Sequence, residues 1–135
     1  MKRTVLALLA SASMTLPAAD LYDAIAYVES RGIDCAVGDK GKAAGRYQLH
    51  KIYVDDVNRI AKTNYTYNDR FDAEKSLTMV KIYLSHYGKR YTRLTGKPAT
   101  DEVKARIHNG GPNGFRKPAT LQYWNKVKEA MENGQ

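Results

Sequence analysis

The spacing of apolar residues in the middle of the chain is the feature that most constrains its fold. These residues step along the sequence by 4, 3, 4 and 3 positions, and they are Ala73, Leu77, Val80, Leu84 and Tyr87. Because an α-helix has about 3.6 residues per turn, the steps place these side chains on one face that can be buried. The pattern predicts an amphipathic helix with Gly88 as its C-terminal cap.

Four further segments carry apolar residues at helical spacing. They cover Leu21 to Val28, Ile52 to Ala61, Val103 to Ile107 and Leu121 to Met131. Gly32 is predicted to end the first helix, which places Glu29 and Ser30 in its last turn. Pro118 is predicted to start the last helix. The residues of that helix predicted to face the core are Leu121, Trp124, Val127 and Met131.

Two glycine-rich segments separate these helices. Residues 33–46 contain three glycines together with Asp34 and Asp39, a composition typical of turns and able to form a small hairpin. Residues 109–114 are a second dense turn segment. About five helices with at most a small β element predict an α+β fold that is predominantly α-helical.

The first nineteen residues have the layout of a secretory signal peptide. Lys2 and Arg3 precede an uncharged apolar stretch over residues 5–12, and Ala18 and Ala19 suit a cleavage site. A bilayer span needs roughly 20 apolar residues, so an uncleaved anchor is the weaker alternative. The sequence predicts a signal peptide at 1–19 and one domain at 20–135. That domain would be exported to the periplasm or secreted, as a monomer without stable membrane insertion.

The chain is basic, with a formal net charge of +8. A basic surface favours polyanions such as nucleic acid, anionic lipid or an anionic cell wall. Export and the scattering of the charges, with no run of five basic residues, argue against nucleic acid as the partner.

The cysteine and histidine residues limit which disulfides and metal sites the chain can form. Cys35 is the only cysteine, so no intramolecular disulfide can form, and a buried structural thiol is its predicted role. His50, His86 and His108 do not fall at metal-ligand spacing, so the sequence predicts neither a metal site nor a cofactor.

Three short motifs are candidates for a functional site. Glu29 ends an apolar helix and faces a glycine-rich loop, where a carboxylic acid can serve as a general acid. A Gly-Arg-Tyr-Gln segment follows at 45–48, and an Ile-His-Asn-Gly-Gly segment at 107–111. Each motif alone also fits a structural role: a solvated glutamate, a packed turn and a helix C-cap followed by a turn.

Taken in this order, the motifs resemble the lysozyme-like superfamily, specifically the soluble lytic transglycosylase (SLT domain) and goose-type lysozyme branch. The matching segments are 28–30, 45–48 and 108–111. A second resemblance is to invertebrate-type lysozymes, because segment 105–114 followed by Tyr123-Trp124 is similar to their C-terminal motif. Those lysozymes are rich in disulfides and this chain has one cysteine, which suggests a bacterial or phage relative.

The resemblance implies a lysozyme-like fold with a substrate cleft, and it implies a role for each matching residue. Glu29 would protonate the glycosidic oxygen. His108 stands where the transglycosylase pattern has Tyr, so a structural and a catalytic role both stay open. The residues implied to bind substrate are Ser30, Tyr47, Gln48, His108, Asn109 and Gly110.

The implied reaction is cleavage of the β-1,4 bond between N-acetylmuramic acid and N-acetylglucosamine in peptidoglycan. Our first expectation is a lytic transglycosylase, in which Glu29 acts as acid and then base and the product is a 1,6-anhydro-muramic sugar. The alternative is a hydrolytic lysozyme that also uses Asp39 as base or nucleophile. Asp34 is a weaker rival to Asp39, while Asp55 and Asp56 are expected on the outer face of the second helix.

Two other classes of function compete with an enzyme. A non-catalytic peptidoglycan-binding module would hold glycan in the cleft without cutting it. A nucleic-acid-binding protein would show tight, strongly salt-dependent DNA binding, but the charge pattern lacks the focused basic patch of such proteins.

Overall fold

A computed structural model describes residues 19–135 as five α-helices and one small antiparallel sheet. The elements are α1 (Leu21–Ser30), β1 (Val37–Gly38), β2 (Ala43–Ala44), α2 (Lys51–Ala61), α3 (Ala73–Thr95), α4 (Asp101–Gly110) and α5 (Ala119–Glu132). Short 3₁₀ turns lie at Asp39–Gly41, Tyr67–Phe71 and Gly114–Arg116. The predicted α+β, mainly helical fold is confirmed. The predicted signal peptide lies outside the described residues except for Ala19.

Side-chain caps explain where three of the helices begin. The first backbone N–H groups of a helix have no partner within it, so a preceding side-chain oxygen that accepts from them stabilises the start. Asp20 accepts from the backbone N–H of Asp23 at 2.8 Å, and Asp72 accepts from that of Lys75 at 2.8 Å. Thr100 caps α4 in the same way.

The hydrophobic core lies between the five helices. α3 packs between α2 and α4, while α5 packs against both α1 and α4. The largest fully buried apolar side chains are Ile25, Leu49, Val54, Val57, Met79, Val80, Leu84, Ile107 and Val127. Burying each such side chain contributes roughly 1.5–3 kcal/mol. The core therefore draws on every helix and needs no disulfide.

The predicted cap of α3 is wrong. The helix continues through Gly88 to Thr95, and Gly96 ends it with a left-handed φ of 70°. Gly88 is buried, and a Cβ built there would lie 3.2 Å from the Cβ of Ala99. The small residue thus serves close packing inside the helix, which outweighs its weak helix propensity.

Two other burial predictions are wrong in part. Leu121 is 47% exposed and Trp124 is only half-buried, whereas Val127 is buried as predicted. α5 is rotated so that Tyr123 and Ala130 flank Val127 in the core, because α1 and α4 together cover that face.

Cys35 is exposed and not a buried thiol. It lies in the irregular segment between α1 and β1.

The small sheet and a buried arginine shape the region between α1 and α2. β1 and β2 pair through Val37 with Ala44 and Gly38 with Ala43. The buried Arg70 guanidinium donates hydrogen bonds to the backbone carbonyls of Lys42 at 3.2 Å, Leu49 at 3.0 Å and Tyr67 at 2.7 Å. Arg70 therefore connects the 3₁₀ turn before α3 to both ends of residues 42–49, the segment that contains β2.

Candidate active site

A cleft of about 900 Å³ opens between the end of α1, the small sheet, α2, α3 and the end of α4. Its lining combines four carboxylates with aromatic and amide side chains. The polar and aromatic residues that line it are Glu29, Asp39, Gln48, His50, Tyr53, Asp55, Asp56, Arg59, Tyr83, His108 and Asn109. This volume lies within the range of roughly 300–1,000 Å³ that is usual for ligand sites.

Glu29 projects into the cleft from the last turn of α1. Its side chain is 19% exposed, so it is largely enclosed yet reachable. Burial raises the pKa values of Tyr53 and Tyr123, and the charge of Glu29 adds to the rise in both. The charge of Glu29 therefore acts on both the cleft and these two tyrosines.

His108 lies beneath Glu29 and is held on both sides of its ring. The side chain is 3% exposed, and its Nε2 is 3.7 Å from Oε2 of Glu29. Nε2 also lies 3.2 Å from the carbonyl oxygen of Tyr47, and Nδ1 lies 3.2 Å from the Tyr53 hydroxyl. A carbonyl can only accept, so it favours the tautomer in which Nε2 carries the proton and Nδ1 accepts from Tyr53.

Two neighbours in the Gly-Arg-Tyr-Gln motif point in different directions. Tyr47 is 2% exposed and lies in the core, so its side chain does not line the cleft as the resemblance implied. Burial raises its pKa to about 12. Gln48 does line the cleft, with a left-handed φ of 50°. Its amide donates to the carbonyls of Ala36 at 3.2 Å and Gly45 at 2.9 Å, which fixes its orientation.

Ser30 connects the end of α1 to this same motif. Its hydroxyl donates to the carbonyl of Arg46 at 2.8 Å and accepts from the backbone N–H of Ile33 at 3.0 Å. The Arg46 guanidinium in turn pairs with Asp34 at 2.6 Å. Neither Ser30 nor Asp34 lines the cleft. Ser30 was implied to bind substrate, but its hydroxyl instead supports the end of the helix that carries Glu29.

Asp39 lines the cleft from the 3₁₀ turn between the two strands. Its side chain is 57% exposed, and its Oδ2 lies 3.2 Å from Nε2 of His50. The backbone φ of 47° at Asp39 is left-handed, a conformation that non-glycine residues rarely adopt. The structure thus places Asp39 and Glu29 on the walls of one cleft.

The His-Asn-Gly-Gly motif divides between the cleft and the helix interface. Asn109 and Gly111 line the cleft together with Pro112. Gly110 instead packs against α5, where a Cβ would lie 2.6 Å from Cγ2 of Thr120. The implied substrate contact at Gly110 therefore does not match its position.

Asp55 and Asp56 were expected on the outer face of α2, and that expectation is wrong, because both line the cleft. The Tyr67 hydroxyl donates to Asp55 at 2.9 Å. Asp56 accepts from the Tyr87 hydroxyl and from Nε of Arg59 at 3.0 Å. α2 packs on α3 beside these aspartates, with Tyr53 stacked on Tyr83, and this packing turns them towards the cleft.

Stacked tyrosines form the floor of the cleft, which the sequence analysis missed. The rings of Tyr53 and Tyr83 stack with centroids 3.8 Å apart and planes at 16°. The abundance of tyrosine, ten residues, was a signal that could have pointed to an aromatic sugar-binding floor. Within residues 19–135, no three His, Cys, Asp or Glu side chains group as metal ligands. Across the same range, no helix is long and apolar enough to cross a membrane.

No protein-family model matches the chain. The chain is 36% identical over 108 residues to the lysozyme of Magallana gigas, covering 78% of this chain and 74% of the relative. It is 33% identical over 128 residues to invertebrate-type lysozyme 2 of Caenorhabditis elegans, covering 89% and 91%. The chain belongs to the invertebrate-type lysozyme family. Its match to the lysozyme of Ostrea edulis, at 33% identity, spans 66% of that protein's length.

A solved structure agrees with this family assignment. The crystal structure of Tapes japonica lysozyme superimposes with a TM-score of 0.67 at 27% identity, covering 81% of this chain and 86% of that one. The lysozyme-like fold and the expectation of a glycosidic-bond-cleaving enzyme are confirmed. The family shown is the second of the two resemblances. The transglycosylase branch, our first expectation, is not what these relatives support.

Proposed function

We propose that this invertebrate-type lysozyme homologue hydrolyses the β-1,4 bond between N-acetylmuramic acid and N-acetylglucosamine in peptidoglycan, with Glu29 as general acid. The observation that carries the proposal is the placement of Glu29, enclosed but reachable on the wall of the cleft. The relatives described above are named lysozymes, which favours hydrolysis over transglycosylation.

The chemistry assigned to Glu29 is protonation of the glycosidic oxygen as the bond breaks. A positioned general acid accelerates such a step by roughly 10²–10⁴-fold. His108 fills the space under the carboxylate, and its two other contacts keep the ring from moving. This fixed imidazole limits where the carboxylate can lie on that side, which favours a position suited to proton transfer.

Hydrolysis needs a second carboxylate, and we propose Asp39 as the base or nucleophile. Asp39 lines the cleft, and its Oδ2 lies 3.2 Å from Nε2 of His50. Asp55 and Asp56 also line the cleft, but tyrosine hydroxyls and Arg59 already engage them. Asp39 is 57% exposed, so its carboxylate can reach water or the anomeric carbon.

Lytic transglycosylation is the second candidate, because it needs a single carboxylate and Glu29 can supply it. In that reaction the 6-hydroxyl of the muramic sugar attacks its own anomeric carbon, so Glu29 alone can serve as acid and then base. An intramolecular nucleophile gains from a high effective molarity. The two mechanisms give products that differ by one water.

Mass spectrometry of soluble muropeptides tests both candidates. Purified protein is incubated with peptidoglycan beside a Glu29→Gln variant. Products with a reducing muramic end support hydrolysis, and 1,6-anhydro products support transglycosylation. Equal release by the Glu29→Gln variant would contradict the role of Glu29, and absence of products from the parent chain would leave a binding module.

We also propose that the working protein is an exported monomer that acts on peptidoglycan glycan strands outside the cytoplasm. The support is the predicted signal peptide at 1–19, which leaves a domain at 20–135. N-terminal sequencing of protein recovered from outside the cytoplasm tests this boundary: a start near Ala19 or Asp20 is expected, and a start at Met1 would contradict it.

A further inference from the structure

A second groove, of about 730 Å³, lies between α1, α3 and α4. Four of the residues that line it are cations, namely Lys81, Lys89, Arg93 and Lys104. Within residues 19–135, none of the four belongs to an ion pair. Unpaired cations gathered in a concave surface produce a local positive potential that attracts anions.

This groove is separate from the candidate active site. It shares no lining residue with the catalytic cleft. On α3, one stripe of groove residues is formed by Lys81, Ser85 and Gly88, which are separated by 4 and 3 positions. Tyr83, which lines the cleft, is two residues from both Lys81 and Ser85. Two residues turn a helix by roughly 200°, so α3 presents one face to the cleft and the opposite face to the groove.

Acidic residues lie near one end of the groove. Burial raises the pKa of Tyr22, and the charges of Asp20 and then Asp101 add to that rise. Asp20 precedes α1 and Asp101 begins α4, the two helices that contribute Tyr22 and Lys104 to the groove. The four cations that line the groove outnumber these two carboxylates, so the net charge around the groove is positive.

The spacing of the cations indicates a linear ligand. Lys81 and Arg93 are twelve residues apart on α3, which corresponds to about 18 Å along the helix axis. A small anion can touch only neighbouring cations at this spacing. A chain with a charge on each repeat unit can contact all of them at once.

We propose that this groove binds a phosphodiester-linked polymer of the bacterial cell wall and so retains the enzyme on its anionic substrate. The proposal rests on the proposed function, because peptidoglycan cleavage is what brings the chain to the wall. A single-stranded nucleic acid fits less well, since such ligands stack on exposed aromatic rings. The aromatic ring here is Tyr22, and Lys81 already lies over it at 5.4 Å.

The test measures binding without cleavage. Glu29→Gln protein is mixed with purified walls that retain their phosphodiester polymers and with the same walls after those polymers are removed. Two double variants are made in the Glu29→Gln protein. One removes groove charges through Lys81→Gln and Lys89→Gln, and the matched control removes charges on α5 through Lys126→Gln and Lys128→Gln. Both pairs remove two charges, and both must unfold at the temperature of the parent, which verifies the fold.

The expected result is salt-dependent binding that needs both the polymer and the groove. With four charge contacts, raising salt from about 50 to 200 mM should weaken binding roughly 50-fold, and with two contacts roughly 7-fold, using the slope known for single-stranded polyions. The Lys126/Lys128 control should match the parent, and polymer removal should abolish the difference between the variants.

Three outcomes would overturn the proposal. They are equal binding of the two variant pairs, binding that does not change when the polymer is removed, and tighter binding of a single-stranded oligonucleotide than of intact walls. Failure of the proposed function has a different signature, which is the lack of soluble muropeptides from the parent chain. Because the binding comparison uses Glu29→Gln protein throughout, it can be interpreted whichever way that result falls.

Discussion

Nε2 of His108 lies 3.7 Å from Oε2 of Glu29, although α1 and α4 are far apart in the sequence. The same imidazole bridges the hydroxyl of Tyr53 and the carbonyl of Tyr47. One buried side chain thus links the proposed acid to α2 and to the Gly-Arg-Tyr-Gln motif.

We expect His108→Gln to lower kcat by roughly 10- to 100-fold with KM little changed, because a small displacement of a catalytic group has effects of this size. The variant should also lose about 1–3 kcal/mol of stability, since it leaves the buried Tyr53 hydroxyl unsatisfied. His86→Gln is the matched control, because His86 does not line the cleft. Steady-state kinetics on peptidoglycan and urea unfolding measure the two effects. A kcat equal to that of the parent would show that His108 is only structural.

We expect Asp39→Asn to reduce hydrolysis at least 100-fold, since a missing base or nucleophile removes its whole contribution. Asp55→Asn should reduce it less than about tenfold, because the hydroxyl of Tyr67 already occupies that carboxylate. Muropeptide release measures both. Retention of activity in Asp39→Asn together with 1,6-anhydro products would move the assignment to the transglycosylase mechanism.

The stability of the cleft wall should depend on Gly45. Its φ is 79°, and a Cβ there would lie 1.8 Å from the carbonyl oxygen of Arg70. Backbone must move to accommodate the methyl group, so we expect Gly45→Ala to cost more than about 3 kcal/mol. Gly96→Ala has a similar φ of 70° in open space and should cost only about 1 kcal/mol. Denaturant unfolding compares the two, and equal costs would contradict the close approach at Arg70.

The protein should lose stability in alkali. Burial raises the pKa of Tyr47 to about 12, above the ordinary value of 10.0, and those of Tyr53 and Tyr123 also rise. Above pH 10 the unfolded chain releases these protons while the folded chain keeps them. Stability is therefore full below pH 10 and falls as the pH rises, by about 1.4 kcal/mol per pH unit for each such tyrosine.

Urea unfolding between about pH 9 and 11 measures this slope. Tyr47→Phe should reduce the slope of the unfolding free energy against pH by about 1.4 kcal/mol per pH unit, because the unfolded chain then releases one proton fewer. An unchanged slope in that variant would mean that Tyr47 titrates alike in the folded and unfolded chain.

Several features of the fold could be predicted because they depend on local order. The steps of 3 and 4 residues mark helices wherever one face is buried, and glycine-rich stretches mark the turns between them. Glu29 stands at a helix end before a glycine-rich loop, but it was proposed as the acid because the resemblance implies that role. The ordered motifs and the C-terminal segment supplied the resemblance that the relatives then supported, with hydrolysis favoured over the transglycosylase expectation.

The rest depends on which elements meet in space, and periodicity does not contain that information. It shows that α2 and α5 have apolar faces. Packing of α2 on α3 decided that Asp55 and Asp56 line the cleft, and packing of α5 on α1 and α4 decided that Tyr123 is buried while Leu121 is exposed. The sequence alone determined the helices and proposed the acid. Only the tertiary structure decided what surrounds that acid, because His108 and Asp39 reach the cleft of Glu29 through contacts between segments that are distant along the chain.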